Sequence, residues 1–456
     1  MRDRVPTKPN RYAVYDDNHN FVRYEYHERA DNPTEVGTPL NKGTLLADET
    51  AAMLGLTGDP TVNDGLAKLA LGPFKIGDTL STLRTDLGDK WLLCNGSGVS
   101  KRDYPVLGEL LGGQDSMVGI VPNVQMPVTG LRDCDYVDSE NTFAFVSGLT
   151  VYYTALPFGT DTWHTSVITT NSNMVIECLK FLNGKWIAGG YRKETSSGAE
   201  DEQGYVFVND TADFSGAWAT NQVDSGDYVQ VSGVTYGNGL YCVSTYHYNG
   251  ISGMYYAKIY TSNDASSWTR RFSNTSGSVF LNNVTYQNNT FVALGRRRVD
   301  RYTSYAVLVY SVNGTSWTYK NTQYVGDFSS AVYTQNTWFL GSISKLYKTQ
   351  NLETSPTAIQ NELTYKAEGV MLSTTDQDVL LVYGSEYVAF YKVSTDSFSV
   401  IQNLSGISLS YKGGFQYSGC FYLLQSSGGK NIYSSEYFPL PTVSISTLYT
   451  YIKAKE

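Results

Sequence analysis

A chain of 456 residues with a net charge of −9 and 17% charged residues is long enough for two or three domains. Its acidic balance contains no basic block of the kind that neutralises nucleic-acid phosphates or coats an anionic membrane, which argues against both as partners. No apolar run approaches membrane-spanning length, and the N-terminus, Met1-Arg-Asp-Arg-Val-Pro-Thr-Lys8, has no hydrophobic core of a signal peptide.

The first segment, residues 1–72, opens on two alternating runs, Arg11-Tyr-Ala-Val-Tyr15 and Phe21-Val-Arg-Tyr-Glu-Tyr26, separated by Asp-Asp-Asn-His-Asn, which predicts a hairpin. A Pro-broken extended stretch, 30–41, follows. Helical apolar spacing then recurs at 45–55, stopped by Gly55, and at 61–71. Two such short helices bury little alone, so they are expected to pack on a partner copy, a neighbouring subunit or their own hairpin. In residues 73–130, Trp91-Leu-Leu-Cys94 predicts a short buried strand, Asn95-Gly96 a turn, and Tyr104 to Leu111 a helix.

Residues 2–71, from Arg-Asp-Arg-Val-Pro-Thr-Lys through Arg29-Ala-Asp-Asn-Pro-Thr-Glu-Val-Gly-Thr-Pro39, resemble the opening of tail-associated structural proteins of phages and prophages of Gram-positive bacteria. Residues 74–127 resemble the tail-collar module, on Gly77-Asp-Thr-Leu80, Lys90-Trp-Leu-Leu-Cys-Asn-Gly96 and Val99-Ser-Lys-Arg-Asp-Tyr-Pro105. The collar pattern ends in a Leu-Pro-Asp-Leu-Arg-like segment, of which only Val121-Pro-Asn-Val124 remains. Leu448-Tyr-Thr-Tyr-Ile-Lys-Ala-Lys455 resembles the closing strand of collar-type proteins. These residues therefore either return to complete the collar-like module or form the outer strand of the last repeat. The resemblance implies a virion component in the tail or another exterior position, made in the host cytoplasm without a signal peptide. It would be anchored to other tail proteins through residues 1–130. It also implies a homo-oligomer, a trimer being common in this class, although no heptad run enforces threefold packing.

Residues 131–456 repeat one composite unit. Its clearest copy joins Val284-Thr-Tyr-Gln-Asn-Asn-Thr-Phe-Val-Ala-Leu-Gly295 to Ala306-Val-Leu-Val-Tyr-Ser-Val-Asn-Gly-Thr-Ser-Trp-Thr318. Each half reads as strand, turn, strand, the second opening on Trp, and four strands per 40–50 residues is the pattern of a propeller blade. Trp163, Trp218, Trp268 and Trp317 mark successive units at intervals of 55, 50 and 49, and Tyr347, Tyr391 and Tyr433 open weaker copies. The first-half hairpins give the same count. The fold class expected is mainly β: a seven-bladed β-propeller preceded by a small α+β attachment and collar-like region. The tryptophans are expected to pack between blades, because a residue present in repeated units serves the fold.

Dedicated chemistry is hard to find. The four histidines, His19, His27, His164 and His247, form no metal-binding pattern, and no Walker A, GxSxG or dinucleotide fingerprint stands in context, so no metal or cofactor is expected. Cys94, Cys134, Cys178, Cys242 and Cys420 are odd in number and lack CxxC spacing, which predicts free thiols. Ser311-Val-Asn-Gly-Thr-Ser-Trp317 resembles the Asp-box turns of sialidase-type propellers, in which these turns are structural. Sialidase chemistry requires separated arginines, whereas Arg296, Arg297, Arg298 and Arg301 are bunched.

The functional expectation rests on the links between second and third strands. They are long in blades two (191–204), three (246–256) and four (296–305), hence neighbours on one propeller face. They carry Tyr191, Arg192, Tyr246, His247, Tyr248, Tyr255, Tyr256, Arg296, Arg297, Arg298, Arg301, Tyr302 and Tyr305. A tyrosine ring stacks while its hydroxyl hydrogen-bonds, which suits recognition of sugars or a protein surface. The expected function is a non-enzymatic phage or phage-tail-like particle component presenting its propeller to a host-surface glycan, wall polymer or protein. The alternatives are a structural decoration or baseplate subunit and a sialidase-like glycan hydrolase.

Overall fold

The computed structural model describes residues 11–26, 75–82, 87–88, 90–95, 98–112, 119–193, 203–224, 229–249, 254–274, 277–343, 345–359, 367–384, 387–404, 407–426, 428–440 and 449–455. The chain divides into two units, 1–75 and 76–456. In the first, Arg11–Tyr15 and Phe21–Tyr26 pair as the expected hairpin. The Asp16 carboxylate accepts the backbone N–H groups of Asn18 and Asn20 at 2.9 and 2.8 Å, which pins the turn. The helices expected at 45–55 and 61–71 lie outside the described residues.

The second unit contains a seven-bladed β-propeller. Blades one to six are consecutive antiparallel sheets of four strands, and their innermost strands pack side by side around a central axis. Seven hydrophobic clusters each join one blade to the next, the last joining blades seven and one. Because each sheet hides both faces against its neighbours, its second and third strands are apolar almost throughout, as in Ala306–Val309. Trp163, Trp218, Trp268 and Trp317 pack half-buried on the clusters between blades, in the role expected of them.

The turns explain why the repeat is visible in the sequence. Asn183-Gly184, Asn238-Gly239, Asn288-Asn289, Gln335-Asn336 and Ser418-Gly419 all place both central residues at positive φ. This geometry matches the strand twist and favours Asn and Gly. Across four of these turns an aromatic pair faces directly: Phe181 with Trp186, Tyr236 with Tyr241, Tyr286 with Phe291 and Tyr333 with Trp338. Their ring centroids lie 5.2, 4.8, 4.6 and 5.1 Å apart, so each pair fixes the register of its hairpin. The Asn313-Gly314 step is different. It lies in the loop between strands Ser304–Ser311 and Thr318–Val325, where the Asn313 side chain accepts from the N–H groups of Thr315 and Ser316, both at 2.9 Å. Asp264 plays the same part in blade three, its carboxyl held well below the usual range by the N–H groups of Ser267 and Ser266.

Blade seven corrects the sequence-based outline. Its strands Leu409–Tyr417, Cys420–Gln425 and Asn431–Ser434 are completed by Gly119–Gln125, which precedes blade one in the chain. The residues that follow Asn431–Ser434 do not supply the fourth strand: Tyr437–Pro439 pairs instead with Gly98–Ser100. Residues 119–125, placed by sequence in the segment 73–130, therefore belong to the propeller sheet. The physical reason is closure. A sheet built from both ends of the propeller ties the ring shut, since opening it would require breaking strand pairs in the seventh blade.

Outside the propeller, the described residues of this unit include a small sheet. Tyr449–Lys453 lies between Thr79–Thr82 and Trp91–Leu93 as the central strand of three. It does not pair with blade seven, and the chain returns after the propeller to the module from which it left. Ile452 and Cys94 are buried there together with Leu107 of the helix Pro105–Gly112. The cysteines are free thiols, and four of the five are buried.

Candidate functional site

Every blade except the sixth has a bulge in its innermost strand. The register slips at Leu131/Asp133, Ile176/Cys178, Val231/Gly233, Leu281/Asn283 and Phe328/Ser330, with a wider break between Leu409 and Gly414. Each bulge places a polar residue, namely Arg132, Glu177, Ser232, Asn282 or Ser329, at the slip. An extra residue that escapes the ladder can be re-aimed away from the blade interface. Three of these residues, Glu177, Ser232 and Asn282, line a cavity of about 220 Å³ together with Tyr246, Phe280, Arg296, Tyr411 and Lys412. Its walls come from blades two, three, four and seven, so it sits at the propeller axis. The bulges lie at the start of each inner strand, opposite the end of the second strand. The cavity therefore opens on the face that carries the second-to-third-strand links.

The Lys412 ammonium crosses the axis, donating to the backbone carbonyls of Ser232 at 2.8 Å and Glu177 at 3.2 Å. Glu177 faces Arg132 of blade one at 3.8 Å. Asn282 donates through Nδ2 to Asp327 Oδ2 and to the Phe328 carbonyl, both at 3.2 Å. Arg296 lies over the Phe280 ring, 5.1 Å from its centroid, and 3.6 Å from the same Asp327 oxygen. Tyr246 packs on Phe280 with centroids 3.9 Å apart. Beneath the cavity a second set of charges joins blades one and two. Asp133 accepts from Lys180 Nζ at 2.8 Å and from the Leu179 N–H at 3.0 Å, and Asp135 accepts from the Phe181 N–H at 2.8 Å. Burial pushes the Asp135 carboxyl above its usual range against the opposing pull of Lys180. These groups satisfy one another and hold the blades in register.

The structure alters the setting of the sequence-predicted residues. The long links of blades three and four are largely continued strands. Tyr246, His247 and Tyr248 pair with Ala257, Tyr256 and Tyr255, and Arg296, Arg297 and Arg298 pair with Ala306, Tyr305 and Ser304. Directly paired residues share a sheet face and neighbours in sequence alternate. Tyr246, Tyr248 and Tyr255 therefore share one face of blade three, and His247 and Tyr256 occupy the other. Arg296 and Arg298 likewise share a face of blade four, opposite to Arg297 and Tyr305. Tyr191 is buried, and Arg192 donates to Gln203 Oε1 at 2.8 Å, while most of the blade-two link lies outside the described residues. Only Arg301 and Tyr302 occupy a loop. Tyr302 is 89% exposed, and the turn beneath it is held by Asp300, which accepts the N–H groups of Tyr302 and Thr303 at 2.7 Å.

The structure thus brings Tyr246 and Arg296 together at the axis and leaves Tyr248, Arg301 and Tyr302 on the hairpin rims. Glu177, Ser232, Phe280, Asn282, Tyr411 and Lys412 were not anticipated. A signal for three of them exists in the sequence. Ile176-Glu-Cys178, Val231-Ser-Gly233 and Leu281-Asn-Asn283 each set a polar residue directly after a buried aliphatic one at one repeat position.

A larger cavity, about 380 Å³, separates blade seven from the small module and is lined by Ser100, Arg102, Tyr104, Phe158, Glu436 and Tyr437 among others. Its charges are internally matched. Buried Glu436 accepts from Ser100 Oγ at 2.8 Å, from Arg102 at 2.6 Å and from the Tyr422 hydroxyl. Burial and the Glu436 carboxylate push that hydroxyl well above the usual phenol range. This is the seam by which the module grips the propeller.

No protein-family model matches the sequence, and no curated protein matches it. Among solved structures, YCF48 bound to D1 peptide is similar at 12% identity and a TM-score of 0.43, covering 68% of this chain and 95% of that one. At that level the likeness carries nothing about function, and the propeller rests on its strand order. The tail-protein resemblance rests on the residues that carry it.

Proposed function

We propose that this chain is a non-enzymatic component of a phage or phage-tail-like particle, anchored through its N-terminal region and presenting the propeller to a host-surface glycan or wall polymer. The observation that carries the binding part is the gathering of Tyr246, Phe280, Arg296 and Lys412 at the axial end, beside hairpins with exposed Tyr248 and Tyr302. Aromatic faces and cationic donors at one rigid, concave site are the means by which polyhydroxy and anionic groups are recognised. The particle part is supported by the tail-collar resemblance. The return of Tyr449–Lys453 to pair with Trp91–Leu93 agrees with it, since both strands carry that resemblance.

The test is competition for adsorption. Purified protein, incubated with host cells before particles are added, is expected to block attachment. A variant combining Tyr248→Ala, Arg301→Ala and Tyr302→Ala, all at exposed or rim positions, should block at least about tenfold less well, as for loss of central aromatic and arginine contacts. Undiminished blocking by the triple variant would reject host binding through this face.

A further inference from the structure

The axial cavity holds two cations, Lys412 and Arg296, whose donors are not all taken up by carboxylates. An ammonium has three donors and a guanidinium five. Two of the Lys412 donors meet neutral carbonyls, those of Ser232 and Glu177. The carboxylate nearest Arg296, Asp327, stands 3.6 Å away, beyond charge-assisted hydrogen-bond length, and its Oδ2 already accepts from Asn282. Glu177, the acidic residue in the wall, faces Arg132. Beside these cations, the packed rings of Tyr246 and Phe280, tilted at 34° to one another, present an apolar surface. The volume, about 220 Å³, lies below the range of roughly 300–1,000 Å³ common for drug-sized ligands and suits a single sugar-sized unit.

We propose that this cavity binds one anionic unit of a polyhydroxy chain, a carboxylate- or phosphate-bearing sugar or polyol. The oxyanion sits between Lys412 and Arg296, and the carbon skeleton lies against Tyr246 and Phe280. Arg296 is well suited to the task because its guanidinium is already ordered over a ring, so less side-chain freedom is lost on binding. The biological source of the ligand rests on the host-surface reading above, whereas the binding chemistry does not.

The experiment titrates the purified full chain by calorimetry or NMR with glucuronate, glycerol 1-phosphate and glucose. The two anions separate the carboxylate source from the phosphate source, and glucose is the neutral control. At least one anion is expected to saturate in the millimolar range, about 1–10 mM, with glucose at least about tenfold weaker. Affinity should fall as salt is raised. Arg296→Gln should weaken the anion at least about tenfold when titrated well below the variant's own melting temperature, which is expected to fall because buried Asp327 loses its cation. Lys412→Met removes the second cation, and Tyr246→Leu provides a folded variant if loss of the Lys412 bonds destabilises the ring. No saturation by either anion, equal binding of glucose, or an Arg296→Gln variant of parental affinity would overturn the proposal. Adsorption that still depends on Tyr248, Arg301 and Tyr302 would then show that only the cavity assignment had failed.

Discussion

Removal of residues 449–456 is expected to unfold the small module while leaving the propeller closed. Tyr449–Lys453 is the central strand of its sheet, so its loss leaves Thr79–Thr82 and Trp91–Leu93 without a shared partner. Ile452 and Tyr451 are 1% and 5% exposed, and burying side chains of this size contributes about 1.5–3 kcal/mol each. Gly77 would also lose the Lys453 carbonyl as acceptor, and Lys90 would lose the Ala454 N–H as donor. A sheet of three short strands has little stability to spare. Hydrogen exchange should show the amides of 79–82 and 91–93 losing protection while those of the blade strands keep theirs. Collapse of blade seven in the same variant would contradict the topology, because that sheet is completed by Gly119–Gln125.

The second large effect is expected at that closing strand. Val121 is 1% exposed and packs in the cluster that joins blades seven and one, with Met126, Phe158, Tyr422 and Leu424. Val121→Asp places a carboxylate there without a partner. A buried, unpaired charge belongs to the mechanisms that cost about 4 kcal/mol or more, and in a domain of this size the melting temperature should fall by roughly 6 °C or more. Val167→Asp on the outer strand of blade one is the control: its site is 54% exposed, and the change should stay within about 0.5 kcal/mol. Similar melting temperatures for the two variants would mean that Gly119–Gln125 does not close the ring.

The propeller was legible in the sequence because its determinants are local. An aromatic pair and two residues suited to positive φ recur at the first turns of blades two to five, within six residues of one another, as in Tyr286 to Phe291. Gly119–Gln125 was not legible for the opposite reason. Its partner, Asn431–Ser434, lies some three hundred residues further on, and Pro122 interrupts the strand pattern. The return of the C-terminal strand could be posed as an alternative only through resemblance, since pairing with Trp91–Leu93 leaves no mark in spacing. In the candidate site, tyrosines and arginines were visible by composition, but their division between sheet faces depends on register. His247 and Arg297 fall on faces opposite to their neighbours Tyr246 and Arg296 because the strands continue through the expected loops. Lys412 was hidden by the irregular break between Leu409 and Gly414, which obscures the repeat position it occupies.

Host recognition by the axial face is tested most directly by imaging intact particles at a resolution that orients the propeller. The hairpin tips around Tyr248 and Tyr302 and the mouth of the axial cavity are expected to face outward at the tail tip, clear of neighbouring subunits. The same face packed against other particle proteins, with Tyr302 buried in that contact, would contradict host binding and make the propeller a structural subunit.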